Sequence, residues 1–149
     1  MSDLFGKYTV SIDPTGRLAI PTKHRNLFPA DERDTIIITR GSGSFISGYY
    51  NSSWQEFKQK LKSVKLSYNN RRRLTREFIG RSSVATFDKL GRITLPADLI
   101  EHAELEGCTE VFIIGCEDSI EIWNPALHKD DHNDTEEIVQ QVLDDISID

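Results

Sequence analysis

The sequence predicts an α+β, β-dominated fold with two copies of one unit, on three observations. The stretch from Val10 to Pro21 returns as Ala85 to Pro96, 75 residues later. Asp13, Gly16, Arg17 and Pro21 recur as Asp88, Gly91, Arg92 and Pro96, and the apolar positions between them recur as apolar. Runs rich in β-branched residues follow each copy at the same offset, Thr35 to Thr39 and Glu110 to Ile114. Self-similarity at a fixed period marks a repeated supersecondary unit.

The repeated stretch explains itself as a turn between strands. Asp favours the first position of a type I turn, Pro the second and Gly the fourth. Asp13-Pro14-Thr15-Gly16 satisfies all three; Asp88-Lys89-Leu90-Gly91 satisfies two. An Asp carboxylate in such a turn accepts nearby backbone N–H groups. Alternating Val10 and Ile12 before it, and Leu18 and Ile20 after it, predict a hairpin over residues 7–21. Arg17 and Arg92 then leave the turn at the start of the second strand. Pro21 and Pro96 have no N–H to donate, so they end that strand and suit the first turn of a short helix. Residues 22–28 read as that helix, stopped by Pro29.

The β-branched run 35–39 predicts a buried strand. Gly41 to Ser44 turns the chain into a weaker strand, Phe45 to Tyr50. The second copy offers strands 110–114 and 120–123 around a turn near Glu117-Asp118. Each unit is therefore expected to be hairpin, short helix, hairpin.

Three longer helices are predicted outside the units. Ser53-Trp54-Gln55-Glu56 has capping-box spacing. Trp54, Phe57, Leu61 and Val64 follow at helical spacing, giving an amphipathic helix over 54–66 with Lys58, Lys60, Lys62 and Lys65 outside. Asn69-Asn70 suit the start of a second helix, 71–79, which carries Arg71, Arg72, Arg73 and Arg76 and ends with Gly80 at the C′ position. A polar linker is expected through Asn133. Asp134 would then cap a last helix with Ile138, Val139, Val142, Leu143 and Ile146 on one stripe. The expected organisation is 5–66 for the first unit with its helix, 67–80 for a connecting basic helix, 81–125 for the second unit, and 126–149 for an acidic linker and terminal helix.

Composition excludes several classes. With 149 residues, 38% hydrophobic and 28% charged, the chain is ordinary for a soluble globular protein. No apolar run approaches the ~20 residues of a membrane span. Met1 to Phe5 shows no basic region followed by an apolar core, so no signal peptide and no membrane partner are expected, and a cytoplasmic location is. Cys108 and Cys116 stand outside C-x-x-C spacing and are expected to be buried free thiols. The net charge of −6 at first argues against nucleic acid, and its distribution reverses that. Residues 129–149 hold one Lys and eight acids, whereas residues 54–92 hold eleven Lys/Arg and three acids. Local patches, not the overall balance, attract phosphates.

The doubled Asp-x-x-x-Arg motif, Asp13 to Arg17 and Asp88 to Arg92, resembles that of the MraZ transcriptional regulators, over roughly residues 5–125. The resemblance implies two tandem AbrB-like swapped-hairpin repeats sharing one barrel-like core, with flanking helices. It also implies a bacterial, nucleoid-associated regulator of the division and cell-wall gene cluster. Such a protein binds repeated promoter boxes in double-stranded DNA as a ring-shaped homo-oligomer, without a cofactor.

The residues themselves support a DNA contact. An Arg fixed beside a stiff turn loses little freedom on binding, and its planar fork matches guanine O6 and N7 or a phosphate. Arg17 and Arg92 are the candidate contacts, with Asp13, Gly16, Asp88 and Gly91 supporting them. A plainer reading has each Asp only making the turn and each Arg only pairing with it. Lys23 and Arg25 are candidate phosphate contacts. Their counterparts are Asp98 and Ile100, so the first repeat is expected to supply more of that contact. Arg71, Arg72, Arg73 and Arg76 fit either DNA or subunit packing. No enzyme is expected: P-loop, dinucleotide-type glycine motif and nucleophile elbow are all absent from the sequence. His128-x-x-x-His132 has two-ligand spacing but lacks the Glu of a zinc protease and falls in the expected linker, so no metal is expected. A basic and an acidic helix at different ends of the unit would make a head-to-tail contact, which closes into a ring when the rotation permits. The alternative function is a ring-forming interaction protein without specific DNA binding.

Overall fold

A computed structural model describes residues 3–132 and 135–146. Strands form where alternation and β-branching predict them. The first repeat holds β1 (Lys7–Ser11), β2 (Arg17–Ala19), β3 (Thr35–Arg40) and β4 (Ile46–Tyr49), with α1 (Thr22–Arg25) between β2 and β3. The segment joining the repeats holds α2 (Asn51–Ser63) and α3 (Tyr68–Leu74). The second repeat holds β5 (Ser83–Thr86), β6 (Arg92–Thr94), α4 (Ala97–His102), β7 (Glu110–Gly115) and β8 (Ile120–Trp123). Two helices follow, α5 (Pro125–His132) and α6 (Thr135–Ile146). No helix among the described residues is long and apolar enough to cross a membrane.

The strands pair across the repeats. One antiparallel sheet runs β1-β7-β8-β4-β3-β5, and a two-stranded ribbon pairs β2 with β6. Exchanging each strand for its counterpart in the other repeat and reversing the order returns the same order. The fold thus has a pseudo-twofold axis between β4 and β8 and through the ribbon. This corrects the local hairpin expected over residues 7–21. β1 pairs with β7 and β5 with β3, while β1 and β2 form no ladder with each other and the turn between them is closed by an isolated Ile12–Leu18 bridge. The hairpins are swapped within one chain, and the shared core is barrel-like.

The core is equally two-sided. Leu18 and Ile93 face each other under the ribbon, and Ile36, Ile38, Val111 and Ile113 line the sheet beneath them, all buried. Matched apolar residues close the core because one ~45-residue unit has too little apolar surface of its own. A second cluster joins Trp54 and Phe57 of α2 to Ile37 and Tyr49 on the outer face of β3 and β4.

Several boundaries differ from expectation for identifiable reasons. The helix expected over 54–66 begins at Asn51, and Ser53 does not cap it; its hydroxyl donates to the Tyr50 carbonyl at 2.9 Å. The Glu32 carboxylate, 20 residues upstream, accepts the Ser52 N–H instead. α3 starts at Tyr68, where the Ser67 hydroxyl accepts the Asn70 N–H. Its continuation, Thr75–Ile79, widens to a π turn closed by Gly80 N–H on the Thr75 carbonyl at 2.9 Å. Gly80 is not left-handed (φ −63°); a Cβ there would lie 2.5 Å from the Arg76 carbonyl oxygen. The expected polar linker is helical as α5, because His128 packs between the rings of Phe112 and Trp123. The expected cap Asp134 lies outside the described residues. Cys108 is half-buried and Cys116 is at the surface, not both buried; Cys116 lies in the β7–β8 turn. Local burial of its sulfur, with Glu121 beside it, pushes that thiol up to about 12.

A fragment ending at residue 80 has β1 without β7 and β3 without β5. It is expected to be unfolded as a monomer or to exchange these strands in a dimer. A native-like circular dichroism spectrum at a monomer's sedimentation coefficient would contradict this.

Candidate nucleic-acid interface

Each repeated turn is built around one carboxylate. Asp13 Oδ1 accepts the N–H of Thr15 at 3.0 Å, its hydroxyl at 2.7 Å and the N–H of Arg17 at 2.9 Å. Its Oδ2 accepts Arg17 Nε at 2.9 Å. The Gly16 N–H closes the turn on the Asp13 carbonyl at 3.0 Å. Asp88 repeats the pattern with the N–H of Leu90 (2.9 Å), the N–H of Arg92 (2.8 Å) and Arg92 Nε (2.8 Å). Gly16 and Gly91 sit at φ +85° and +75°, the left-handed conformation that glycine adopts without cost.

The same bonds set the charge. The Arg17 N–H, then the Thr15 hydroxyl and the Arg17 guanidinium, hold the Asp13 carboxyl well below the ordinary carboxylate range. The Arg92 N–H and guanidinium lower Asp88 likewise. Hydrogen bonds to the charged form favour it.

The ribbon then aims both arginines the same way. In its register Arg17 faces Thr94, Leu18 faces Ile93 and Ala19 faces Arg92. Side chains alternate along a strand. With Leu18 and Ile93 buried beneath, Arg17, Ala19, Arg92 and Thr94 share the outer face. The two arginines stand on its diagonal, about 8 Å apart at Cα by strand geometry. Each guanidinium is tied at Nε alone, and among the described residues both of its Nη groups are without a protein partner. Two forks are thus oriented from behind and open at the front.

The basic flank falls on the second corner. Arg25 Nε donates to the Arg33 carbonyl at 2.9 Å, and its guanidinium lies 4.2 Å over the Phe87 ring. The Ile20 N–H donates to the Gly91 carbonyl, so α1 begins beside the Asp88 turn. By the same symmetry Leu95 N–H donates to the Gly16 carbonyl, and Ile100 packs on the Asp13 turn. Each corner therefore takes its turn from one repeat and its backing helix from the other. Lys23 is exposed on α1. Asp98, its counterpart, is ion-paired with Arg81 at 2.8 Å.

Sequence reasoning missed three features. Lys89 and Leu90 stand exposed at the tip of the second turn; their place in the motif was the available signal. His24 is fully buried, its Nε2 2.9 Å from the Phe5 carbonyl and 3.0 Å from that of Gly6. Its counterpart is Leu99, and nothing local announces the difference. Arg71 is a cap: its guanidinium donates to the carbonyls of Leu61, Lys62 and Val64 at the end of α2. Arg72, Arg73 and Arg76 are exposed. Among the described residues no group of three or more His, Cys, Asp or Glu is placed to hold a metal.

Two swapped-hairpin repeats in one chain, each with an Asp–Arg corner on a shared ribbon, define a tandem AbrB-like protein. The family described as "MraZ protein, putative antitoxin-like" matches residues 4–77 and again 78–139. A transcriptional regulator MraZ of Limosilactobacillus fermentum is 40% identical over 119 residues, covering 80% of this chain and 79% of the relative. One from Thermoanaerobacter sp. is 32% identical over 148 residues, covering 97% and 99%. A solution structure from Pyrococcus horikoshii overlaps at a TM-score of 0.36 and 12% identity, over 82% of this chain and 97% of that one; the likeness is loose. The chain belongs to the MraZ family.

Two predictions test the corners. Alanine at Gly91 meets nothing closer than 3.7 Å, so it bears only the left-handed strain, about 1–2 kcal/mol. Alanine at Gly16 also meets Ile100 Cδ1 at 2.8 Å and the Leu95 carbonyl at 3.2 Å, so Gly16→Ala is expected to cost more in urea unfolding. Both carboxyls have folded pKa values below the unfolded value of about 3.9. Their contribution is therefore complete above that pH and is lost as pH falls through the folded values. In a carbon-13 titration both midpoints should fall below the unfolded value of about 3.9. A midpoint there or higher would contradict the geometry.

Proposed function

We propose that the chain is a sequence-specific DNA-binding transcriptional regulator. It acts on repeated promoter boxes of the bacterial division and cell-wall gene cluster, as a ring-shaped homo-oligomer in the cytoplasm at the nucleoid. The observation that carries this is the pair of arginines on one face of the ribbon, each held at Nε with both Nη groups free. A two-stranded ribbon fits the major groove, and a guanidinium fork pairs with guanine O6 and N7. The curated relatives are named as transcriptional regulators, which supports the same reading and speaks against an enzyme.

The roles divide by geometry. Arg17 and Arg92 read bases or grip phosphate. Asp13 and Asp88 orient them, and Gly16 and Gly91 permit the turn. Lys23, Arg25 and Lys89 draw phosphate toward the second corner, so a box is bound with unequal ends. The first repeat's helix thus serves the second repeat's turn. Several copies on one ring, each with a weak single contact, gain affinity at phased boxes through effective concentration.

Genome-wide recovery of bound fragments identifies the boxes, and fluorescence anisotropy then measures one box at fixed salt. Arg17→Ala and Arg92→Ala are each expected to weaken specific binding by about 1–3 kcal/mol, roughly 5–150-fold, with oligomer and melting temperature unchanged. Arg→Lys is not expected to restore it, because an ammonium has no fork. If the double variant recovers the same fragments as the parent, the arginines do not read DNA; if the parent itself enriches no fragments, the interaction-protein reading takes its place.

A further inference from the structure

Helix α6 carries an apolar stripe that its own chain leaves open. Ile138, Val139, Val142, Leu143 and Ile146 recur on one face, and each is between 40% and 69% exposed. Acids flank the stripe: Glu136 and Glu137 at its start, Asp144 and Asp145 near its end. The helix holds no basic residue. An exposed apolar stripe on an otherwise charged helix marks an interaction surface.

A matching surface lies on the segment between the repeats. α2 and α3 enclose a groove of roughly 210 Å³, floored by Leu61, Leu74 and Ile79 and walled by Lys58, Lys62 and Arg71. Its rim is preset, since Arg71 is already fixed on the carbonyls that end α2. Val64 and Tyr68 extend the apolar surface past the groove's end and are exposed. The groove is apolar below and basic around; α6 is apolar on its stripe and acidic around. The complementarity runs in both terms at once.

We propose that α6 of one copy lies in the α2–α3 groove of the next copy of this chain. The proposal rests on the ring reading above and names the contact that builds the ring. The surface that inserts differs from the surface that receives. An open row of copies therefore keeps one unused helix at one end and one unused groove at the other until the circle closes, as a heterologous interface requires. The two surfaces also lie outside the β2–β6 ribbon, so assembly and DNA contact use separate parts of the molecule.

Sedimentation velocity on the full chain tests it with two variants. The helix variant carries Val142→Glu and Ile146→Glu; the groove variant carries Lys58→Glu and Lys62→Glu. Circular dichroism and melting temperature establish that both are folded. The parent is expected to be larger than a dimer and each variant alone to be a monomer. A 1:1 mixture of the variants is expected to stop at a dimer, because only one intact helix and one intact groove remain to meet. A third chain, with the groove changes plus Glu137→Lys and Asp144→Lys, is expected to assemble again. An oligomeric parent with equally oligomeric variants overturns the contact and leaves the ring reading standing. A monomeric parent overturns both. A mixture that stays monomeric places the helix somewhere other than a neighbour's groove and also overturns the proposal.

Discussion

The antiparallel pairing of β1 with β7 and of β5 with β3 is the constraint on which the remaining geometry depends. Each of these strands carries unpaired backbone groups that its own repeat does not satisfy. Satisfying them from the other repeat forces the two units around one axis. That axis then brings β2 and β6 side by side and buries Leu18 against Ile93 beneath the ribbon. The functional face is thus a product of the swap. Neither repeat alone has a ribbon, and neither alone has a complete corner.

Within that frame a single carboxylate does two jobs at each corner. It satisfies the turn's backbone donors, and it neutralises part of the guanidinium it positions. An exposed ion pair adds little to stability. Its value here is directional: Nε is occupied and the two Nη groups face outward. The corners share this core geometry and differ around it. Arg25 over Phe87 makes the second corner basic, whereas Ile100 against Gly16 makes the first one apolar.

What the sequence made legible was local. Asp13 and Gly16 announce their turn because turn chemistry is written within four residues, and Thr35 to Thr39 announces its strand through β-branching. Strand partners were not legible, since alternation states which face is buried and not which strand lies alongside. The arginines at 17 and 92 were identifiable from repetition; their shared face followed only from the register of β2 on β6. Arg25 was assigned to the first repeat's own contact because its real neighbour, Phe87, lies 62 residues away in sequence. The capping box failed for the same reason: Glu32, not Ser53, reached the start of α2 first. The linker failed because rings from β7 and β8 gave His128 something to pack on.

A duplicated segment ordinarily leaves one copy at liberty to drift. Here the turn of each copy is braced by the helix of the other, Ile20 on Gly91 and Leu95 on Gly16. A substitution in either copy is therefore tested at both ends of the ribbon, and the two halves are bound to change as one inheritance. Divergence is confined to what the bracing tolerates, such as a histidine at 24 where the other copy keeps a leucine. In that sense the molecule holds two similar units in the condition of a permanent dimer, with neither free to leave.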